Sequence, residues 1–309
     1  MERDLVRWIC QRLPAHVRVL IGAGDDAAVL RLTDSAHLVA TTDMLMDGVD
    51  FELRRHEPEQ IGRKALAVNL SDLAAMAAKP VAALVSLALP RHGGEALARR
   101  LYEGLLPLAA EFDCPICGGD TNSWEGPLVI SITALGESPP DRRWQRSGVQ
   151  PGDAILVTGQ FGGSISGGQF DFTPRVREAL WLAENAEVHA AIDVSDGLSL
   201  DLFRLCEASG CGAELDLATI PVAAAATELA MQRGEGSTAI DHALQDGEDF
   251  ELILAVPQTV ADDLIARQPL ATRLTQIGTF IGEPGLFAGR EGKERKAIQA
   301  RGYEHRLDP

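Results

Sequence analysis

The 309-residue sequence has no apolar run long enough to cross a bilayer. Its longest mainly apolar stretch, Val81 to Leu89, lies between two prolines and has nine residues, against roughly 20 for a membrane-spanning helix. Cysteine is sparse and odd in number, with five in all (Cys10, Cys114, Cys117, Cys206 and Cys211), which does not fit a disulfide framework in a chain of this size. Cys114-Pro-Ile-Cys117 has the spacing of half a zinc knuckle, but the second pair is split by four residues across a predicted helix end, so buried thiols are expected instead of zinc. Lysine is scarcer still, at four residues. None lies in a Gly-x-x-x-x-Gly-Lys-Ser/Thr pattern, so a P-loop is excluded. Basic charge is short overall: 28 Lys plus Arg stand against 45 Asp plus Glu, a net −17. Such a surface repels a phosphate backbone, and nucleic acid is not an expected partner. The opening residues interleave charge with apolar side chains, without the apolar block of a secretory signal, so a cytoplasmic location is expected. Histidines are scattered without metal spacing, and no Gly-x-Ser-x-Gly elbow sits between a strand and a helix.

What the chain does have is the composition of a globular protein, 46% hydrophobic and 24% charged, at a length suited to about two domains. Apolar spacing predicts a helix over Glu2 to Leu13, stopped by Pro14, followed by short strands at Val17 to Ile21, Ala27 to Leu32 and Leu38 to Thr42. A long helix is expected from Pro58 to about Ala78, then a strand over Val81 to Leu89 and a helix over Glu95 to Phe112. A buried strand at Cys114 to Cys117 and another at Leu128 to Gly136 complete the first unit. The aperiodic, proline-bearing stretch Glu137 to Asp153 reads as a junction. Beyond it, strands are expected at Ala154 to Thr158, Phe250 to Val256 and Thr275 to Ile281, with helices at Arg175 to Ala186 and Leu198 to Ser209. The fold class is mixed α/β of the α+β kind, with domains at 1–140 and 141–309.

The acids stand out by position. Asp25-Asp26, Asp43, Asp120, Asp193 and Asp196 fall at or just beyond predicted strand ends, where α/β proteins gather site residues. Asn69 and Asp72 share one face of the long helix. Each alone reads as a turn former or cap; together they suit magnesium, which takes oxygen ligands and bridges to phosphates. Gly22-Ala-Gly24-Asp-Asp-Ala27 matches a dinucleotide fingerprint but leads into a strand-like run, which argues against nicotinamide or flavin. Gly162-Gly-Ser-Ile-Ser-Gly-Gly168 is either a phosphate cradle or a flexible connection.

Eight ordered blocks over nearly the whole chain resemble the thiamine-monophosphate kinase family, within the aminoimidazole ribonucleotide synthetase-like ATP-binding superfamily. They are Ile21-Gly-Ala-Gly-Asp-Asp-Ala27, Thr41-Thr-Asp-Met-Leu45, Lys64-Ala-Leu-Ala-Val-Asn-Leu-Ser-Asp-Leu-Ala-Ala-Met76, Gly118-Gly-Asp-Thr121, Arg146-Ser-Gly-Val-Gln-Pro-Gly-Asp153, Ile192-Asp-Val-Ser-Asp-Gly-Leu198, Gly247-Glu-Asp-Phe-Glu-Leu252 and Gly302-Tyr-Glu-His305. The resemblance implies ATP-dependent phosphorylation of thiamine monophosphate by direct transfer with Mg2+, in a homodimer whose N-terminal sheets pair into a barrel. It implies that Asp26, Thr41, Thr42, Asp43, Asp72, Asp120, Asp193 and Asp196 hold magnesium along the ATP phosphates, with Asp43, Asp120, Asp193 and Asp196 carrying catalysis. Gly119, Asp120, Arg146 and Ser195 would touch the nucleotide, and Glu248 and Tyr303 the thiamine phosphate.

Three departures bear on the substrate. The family's Gly-Val-His-Phe is Gly48-Val-Asp50-Phe51 here, which puts an acid beside the acceptor phosphate. Its Ala-Met-Gly-Ala turn is Ala75-Met-Ala77-Ala78, and its Gly-Gly-Glu-Asp is Asp246-Gly-Glu-Asp249. The stretch from Gly168 to Arg175 is shorter and less basic than the family's helical insertion. The alternatives are a nucleotide- or thiamine-phosphate-binding protein with lost turnover, and a superfamily kinase or synthetase acting on another small molecule.

Overall fold

The computed structural model describes residues 19–21, 25–31, 37–139, 143–233, 236–289 and 295–305. The predicted helix over Glu2 to Leu13, Cys10 and the Gly22–Gly24 turn lie outside them.

Six strands form the first sheet: β1 (Val19–Ile21), β2 (Ala28–Arg31), β3 (His37–Met46), β4 (Lys79–Pro90), β5 (Ile116–Trp124) and β6 (Val129–Ser138), in the order β1-β2-β3-β6-β4-β5. Only β4 and β5 run parallel. Burial alternates along β3, β4 and β6, as a sheet with one covered face requires. Helices α1 (Pro58–Ala75) and α2 (Gly94–Glu111) belong to this unit and pack closely on each other. At Gly62 an added Cβ would stand 2.0 Å from the Leu101 carbonyl oxygen, and at Gly104 1.7 Å from that of Glu59, so both glycines serve close helix approach.

The second sheet has seven strands, β7 (Ala154–Thr158), β8 (Ala190–Asp193), β9 (Gly212–Leu215), β10 (Leu252–Val256), β11 (Leu274–Ile281), β12 (Gly285–Ala288) and β13 (Lys296–Ile298), ordered β13-β12-β9-β11-β7-β10-β8. Every residue of β7, β8 and β10 is buried. Their apolar runs lack alternation because both faces are covered. Around this sheet lie α3 (Val176–Asn185), α4 (Leu198–Ser209), α5 (Ala224–Arg233), α6 (Ala239–Gln245) and α7 (Gln258–Arg267). Helix α1 touches both units, contacting β3, β4 and β6 on one side and α3 and β8 on the other. Among the described residues no helix is long and apolar enough to cross a membrane.

Two strand expectations need correction. The strand expected at Cys114 to Cys117 begins at Ile116 and runs to Trp124, exposed along almost its whole length as a sheet edge. Cys114 is buried ahead of it and Cys117 is exposed on it. Strand β3 continues past Thr42 to Met46, because β6 pairs with it through ten residues. Asp43 and Asp120 therefore lie inside strands and not at their ends.

The Ala77 departure has a backbone cost. Ala77 has φ +48° just past the end of α1, the left-handed position where helices usually place glycine. Ala77→Gly is expected to stabilise the protein by about 0.5–1 kcal/mol, read as a shift in the urea midpoint; a lower midpoint would refute this. Asp246 has φ −67°, so an acid replaces glycine there without strain.

Candidate active site

The core of the site is a carboxylate cluster drawn from three segments. Asp26 precedes β2, Asp72 lies on α1 and Asp193 ends β8, and each offers an oxygen such that all three lie within 4.8 Å of one another. It is the only such grouping of possible metal ligands among the described residues. Thr41 Oγ1 on β3 donates to Asp72 at 2.5 Å, and Ser71 Oγ to Asp193 at 2.6 Å. Arg146 grips Asp26 with Nε at 3.0 Å and Nη2 at 2.7 Å, while its backbone N–H donates to Asp25. Burial, then the charges of Asp43, Asp193 and Asp26, hold the Asp72 carboxyl well above the usual carboxylate range. Burial and then Asp26 do the same to Asp193. Like charges gathered this closely cost free energy unless a cation joins them, and the donors are all oxygen, so the set fits a hard divalent ion.

Asp43 links this cluster to a cleft of about 1040 Å3. Its backbone N–H donates to Asn69 Oδ1 at 3.2 Å, and its carboxyl lies close enough to Asp72 for the two charges to act on each other. Burial pushes that carboxyl up to about 6, with help from the charges of Asp50, Asp196 and Glu248. Asp50, Lys64, Ser195, Asp196, Glu248 and Tyr303 also line the cleft.

The acids of this cleft are tied down individually. Asp50 Oδ2 accepts from the Met46 N–H at 2.7 Å, closing the turn after β3. Lys64, fully buried on α1, pairs with Glu248. Arg204 on α4 pairs with Asp196 and with Asp201, which in turn accepts from the Asp196 and Gly197 N–H groups at 2.9 and 3.1 Å. Ser195 offers its carbonyl to the Glu248 N–H at 2.7 Å, and the Tyr303 N–H donates to the Asp196 carbonyl at 2.9 Å.

Not every candidate joins the cluster. Thr42 Oγ1 bonds the Ile132 carbonyl and points to the sheet face away from Thr41. Through Ser86 and Ser131, pairing register puts Asp120 on that same outer face, alongside Met44. Three strand spacings separate β5 from β3, about 14 Å, so one chain does not bring Asp120 to Asp26, Asp72 and Asp193. Gly119 has φ +154°, and a Cβ there would stand 1.8 Å from the Val85 carbonyl oxygen, so the strand pairing itself demands glycine.

The six residues from Asp246 to Glu251 hold what the motifs did not reveal. Asp249 accepts from the Gly162 N–H at 3.0 Å and from Ser164 Oγ at 2.5 Å, and Asp246 from the Gly163 N–H at 3.1 Å. The Gly162 and Gly163 amides are thus committed to the protein's own acids and not offered to a phosphate, and the loop they open is anchored. Burial pushes the Asp249 carboxyl up to about 7. Glu248 and Phe250 both have left-handed backbones, at φ +59° and +50°, and such strain concentrates at binding sites. The alternating acids of this segment were the available signal for the anchoring roles of Asp246 and Asp249.

Comparison with known proteins follows the same division. The AIR synthase related protein N-terminal domain matches residues 24–138 and the corresponding C-terminal domain residues 150–289. A thiamine-monophosphate kinase of Rhodopirellula baltica is 41% identical, covering 99% of this chain and 97% of that protein. One from Escherichia coli K12 is 34% identical over 99% and 98%. A solved structure of AaThiL complexed with AMPPCP and TMP superposes with a TM-score of 0.79 at 26% identity, covering 98% of this chain and 95% of that one.

Proposed function

The chain belongs to the thiamine-monophosphate kinase family of AIR synthase related proteins, and from that premise we propose that it transfers the γ-phosphoryl group of ATP to thiamine monophosphate, yielding thiamine diphosphate and ADP. The observation that carries this reading is the position of Asp43, its backbone held by Asn69 on the same helix as Asp72, its charge felt by Asp72, and its side chain lining the acceptor cleft. Donor and acceptor phosphates then meet at Asp43.

The acceptor is already an anionic phosphate oxygen, so no strong general base is required; the barrier is electrostatic. Asp26, Asp72 and Asp193 would hold Mg2+, with Thr41 and Ser71 fixing the carboxylate orientations. Bound there, magnesium neutralises phosphate charge and orients the transferred group. Arg146 anchors Asp26 and offers positive charge to the nucleotide side. Asp43 and Asp196 stand at the cluster and cleft, respectively, while Glu248 and Tyr303 receive the thiamine portion. In this reading residues 1–140 supply most of the ATP and magnesium site, joined by Arg146 and Asp193 from residues 141–309, which close the substrate cleft of a cytoplasmic enzyme.

A homodimer fits the outer face of the first sheet, where Met44, Leu84 and Trp124 are exposed. Paired sheets would cover this apolar surface and protect the open β5 edge. Thr42, Gly119 and Asp120 stand on or beside the surface so covered.

A coupled assay for ADP release, with product identified as thiamine diphosphate, tests the proposal; ATP binding without transfer would overturn it in favour of a binding protein. Asp50 refines the expectation. Its carboxylate closes a turn, so Asp50→Asn, which can still accept from the Met46 N–H, is expected to lower the KM for thiamine monophosphate about threefold by removing a negative charge from the cleft. The KM for ATP should hold. Asp50→His forfeits the turn bond and is expected to lose about 1 kcal/mol of stability. A raised KM in Asp50→Asn would instead make Asp50 a ligand of the substrate or its metal.

A further inference from the structure

Lys64 has 0% of its surface exposed in a chain with only four lysines. Burying an ammonium group is costly unless each of its donors is met. Here all three are: Nζ donates to the Asp50 carbonyl at 2.9 Å, to Gln169 Oε1 at 2.5 Å and to Glu248 Oε2. The Phe170 ring lies 5.3 Å away. These partners come from three separate walls of the cleft: the turn after β3, the short 3-10 helix Gly168–Phe170, and the strained Gly247–Phe250 segment.

Glu248 is held from two sides. Its N–H is fixed on the Ser195 carbonyl and one carboxylate oxygen on Lys64. The side chain keeps 28% of its surface, and its Oε1 meets no hydrogen-bond donor among the described residues. Phe250, stacked on Phe172 at 4.3 Å, and Tyr303 line the same cleft. A fixed carboxylate that shares a cleft with aromatic rings suits a positively charged aromatic ring.

We propose that Lys64 is the positioning residue that sets the cleft's preference for a cationic heteroaromatic substrate, by fixing the Glu248 carboxylate with its second oxygen turned to the ring. This rests on the reading of the cleft as the thiamine monophosphate pocket, since the thiazolium ring of that substrate carries the charge. Lys64 touches no reacting atom. Its effect is therefore on recognition of the acceptor and not on ATP.

The test compares wild type and Lys64→Met with two acceptors: thiamine monophosphate and an analogue whose thiazolium is replaced by an uncharged ring of the same shape. Wild type is expected to prefer the cation by about tenfold or more in kcat/KM. Lys64→Met should raise the KM for thiamine monophosphate roughly tenfold, move the KM for ATP by less than about twofold, and reduce the preference to within about threefold. If that variant does not fold, Glu248→Gln decides, because it removes the charge that Lys64 orients from a partly exposed side chain. A retained preference in either folded variant overturns the proposal. Wild type that transfers equally to both acceptors overturns this inference alone, whereas wild type that transfers to neither overturns the proposed function and this inference with it.

Discussion

Asp72→Asn is expected to lose about a thousandfold in turnover while gaining thermal stability in magnesium-free buffer. Both effects follow from one geometry. The Asp26, Asp72 and Asp193 oxygens lie within 4.8 Å of one another, and burial together with mutual repulsion raises the Asp72 and Asp193 carboxyls. An uncharged amide at position 72 relieves that repulsion and can still accept from Thr41 Oγ1. The relief is worth about 1–2 kcal/mol, a rise of a few degrees in the unfolding midpoint. Catalysis loses a charge that holds the metal against the phosphates, and the thousandfold loss corresponds to about 4 kcal/mol of transition-state stabilisation. Saturating magnesium should erase the stability gain, because wild type then has its counter-charge and the variant binds the ion more weakly. Turnover within about threefold of wild type, or a lower midpoint in chelator, would remove Asp72 from the site.

The parts of this site that local sequence conveys are those whose chemistry is local. Aspartates clustered around short apolar strands, and Asn69 and Asp72 one helical turn apart, pointed to oxygen ligands, and the fold gathers Asp26, Asp72 and Asp193. Lys64 escaped notice because a lysine in a helical pattern reads as solvated. Helix α1, however, lies between two units, and 14 of its residues, Lys64, Asn69 and Ser71 among them, are buried. A single apolar stripe does not convey that kind of burial. Asp120 shows another limit. Its motif marks a site residue, but which sheet face it occupies depends on the β4–β5 register and on a shift between Ala83 and Leu84. One residue of register moves a side chain to the opposite face. Asp50 lines the cleft, but nothing local in the sequence reveals that its carboxylate also accepts the Met46 N–H and closes the turn.

Glu251→Ala is expected to be the most destabilising single change in the segment behind the cleft wall. Glu251 is 6% exposed and takes Arg175 in a two-pronged pair, Nε at 2.6 Å on one oxygen and Nη2 on the other. Thr158 Oγ1 adds a bond at 2.6 Å and itself accepts from the Leu252 N–H at 2.8 Å. Removing the carboxylate strands a guanidinium whose side chain is only 17% exposed, leaving it Thr272 at 2.9 Å and Glu178 at 3.5 Å. Breaking a buried pair from one side costs about 3–5 kcal/mol, a fall of roughly 5–8 °C in the unfolding midpoint for a chain of this size. Removing both partners, as in Arg175→Met with Glu251→Met, should recover part of that loss, since the guanidinium is no longer stranded and Glu178, which also loses Arg175, keeps the Thr272 hydroxyl at 2.7 Å. Because Glu251 closes the segment that carries Glu248, the single variant is also expected to raise the KM for thiamine monophosphate before that for ATP. Urea unfolding of wild type, the single and the double variant measures the coupling. A single-variant loss under about 1 kcal/mol, or a double variant no better than the single, would show that the pair is not what anchors this wall.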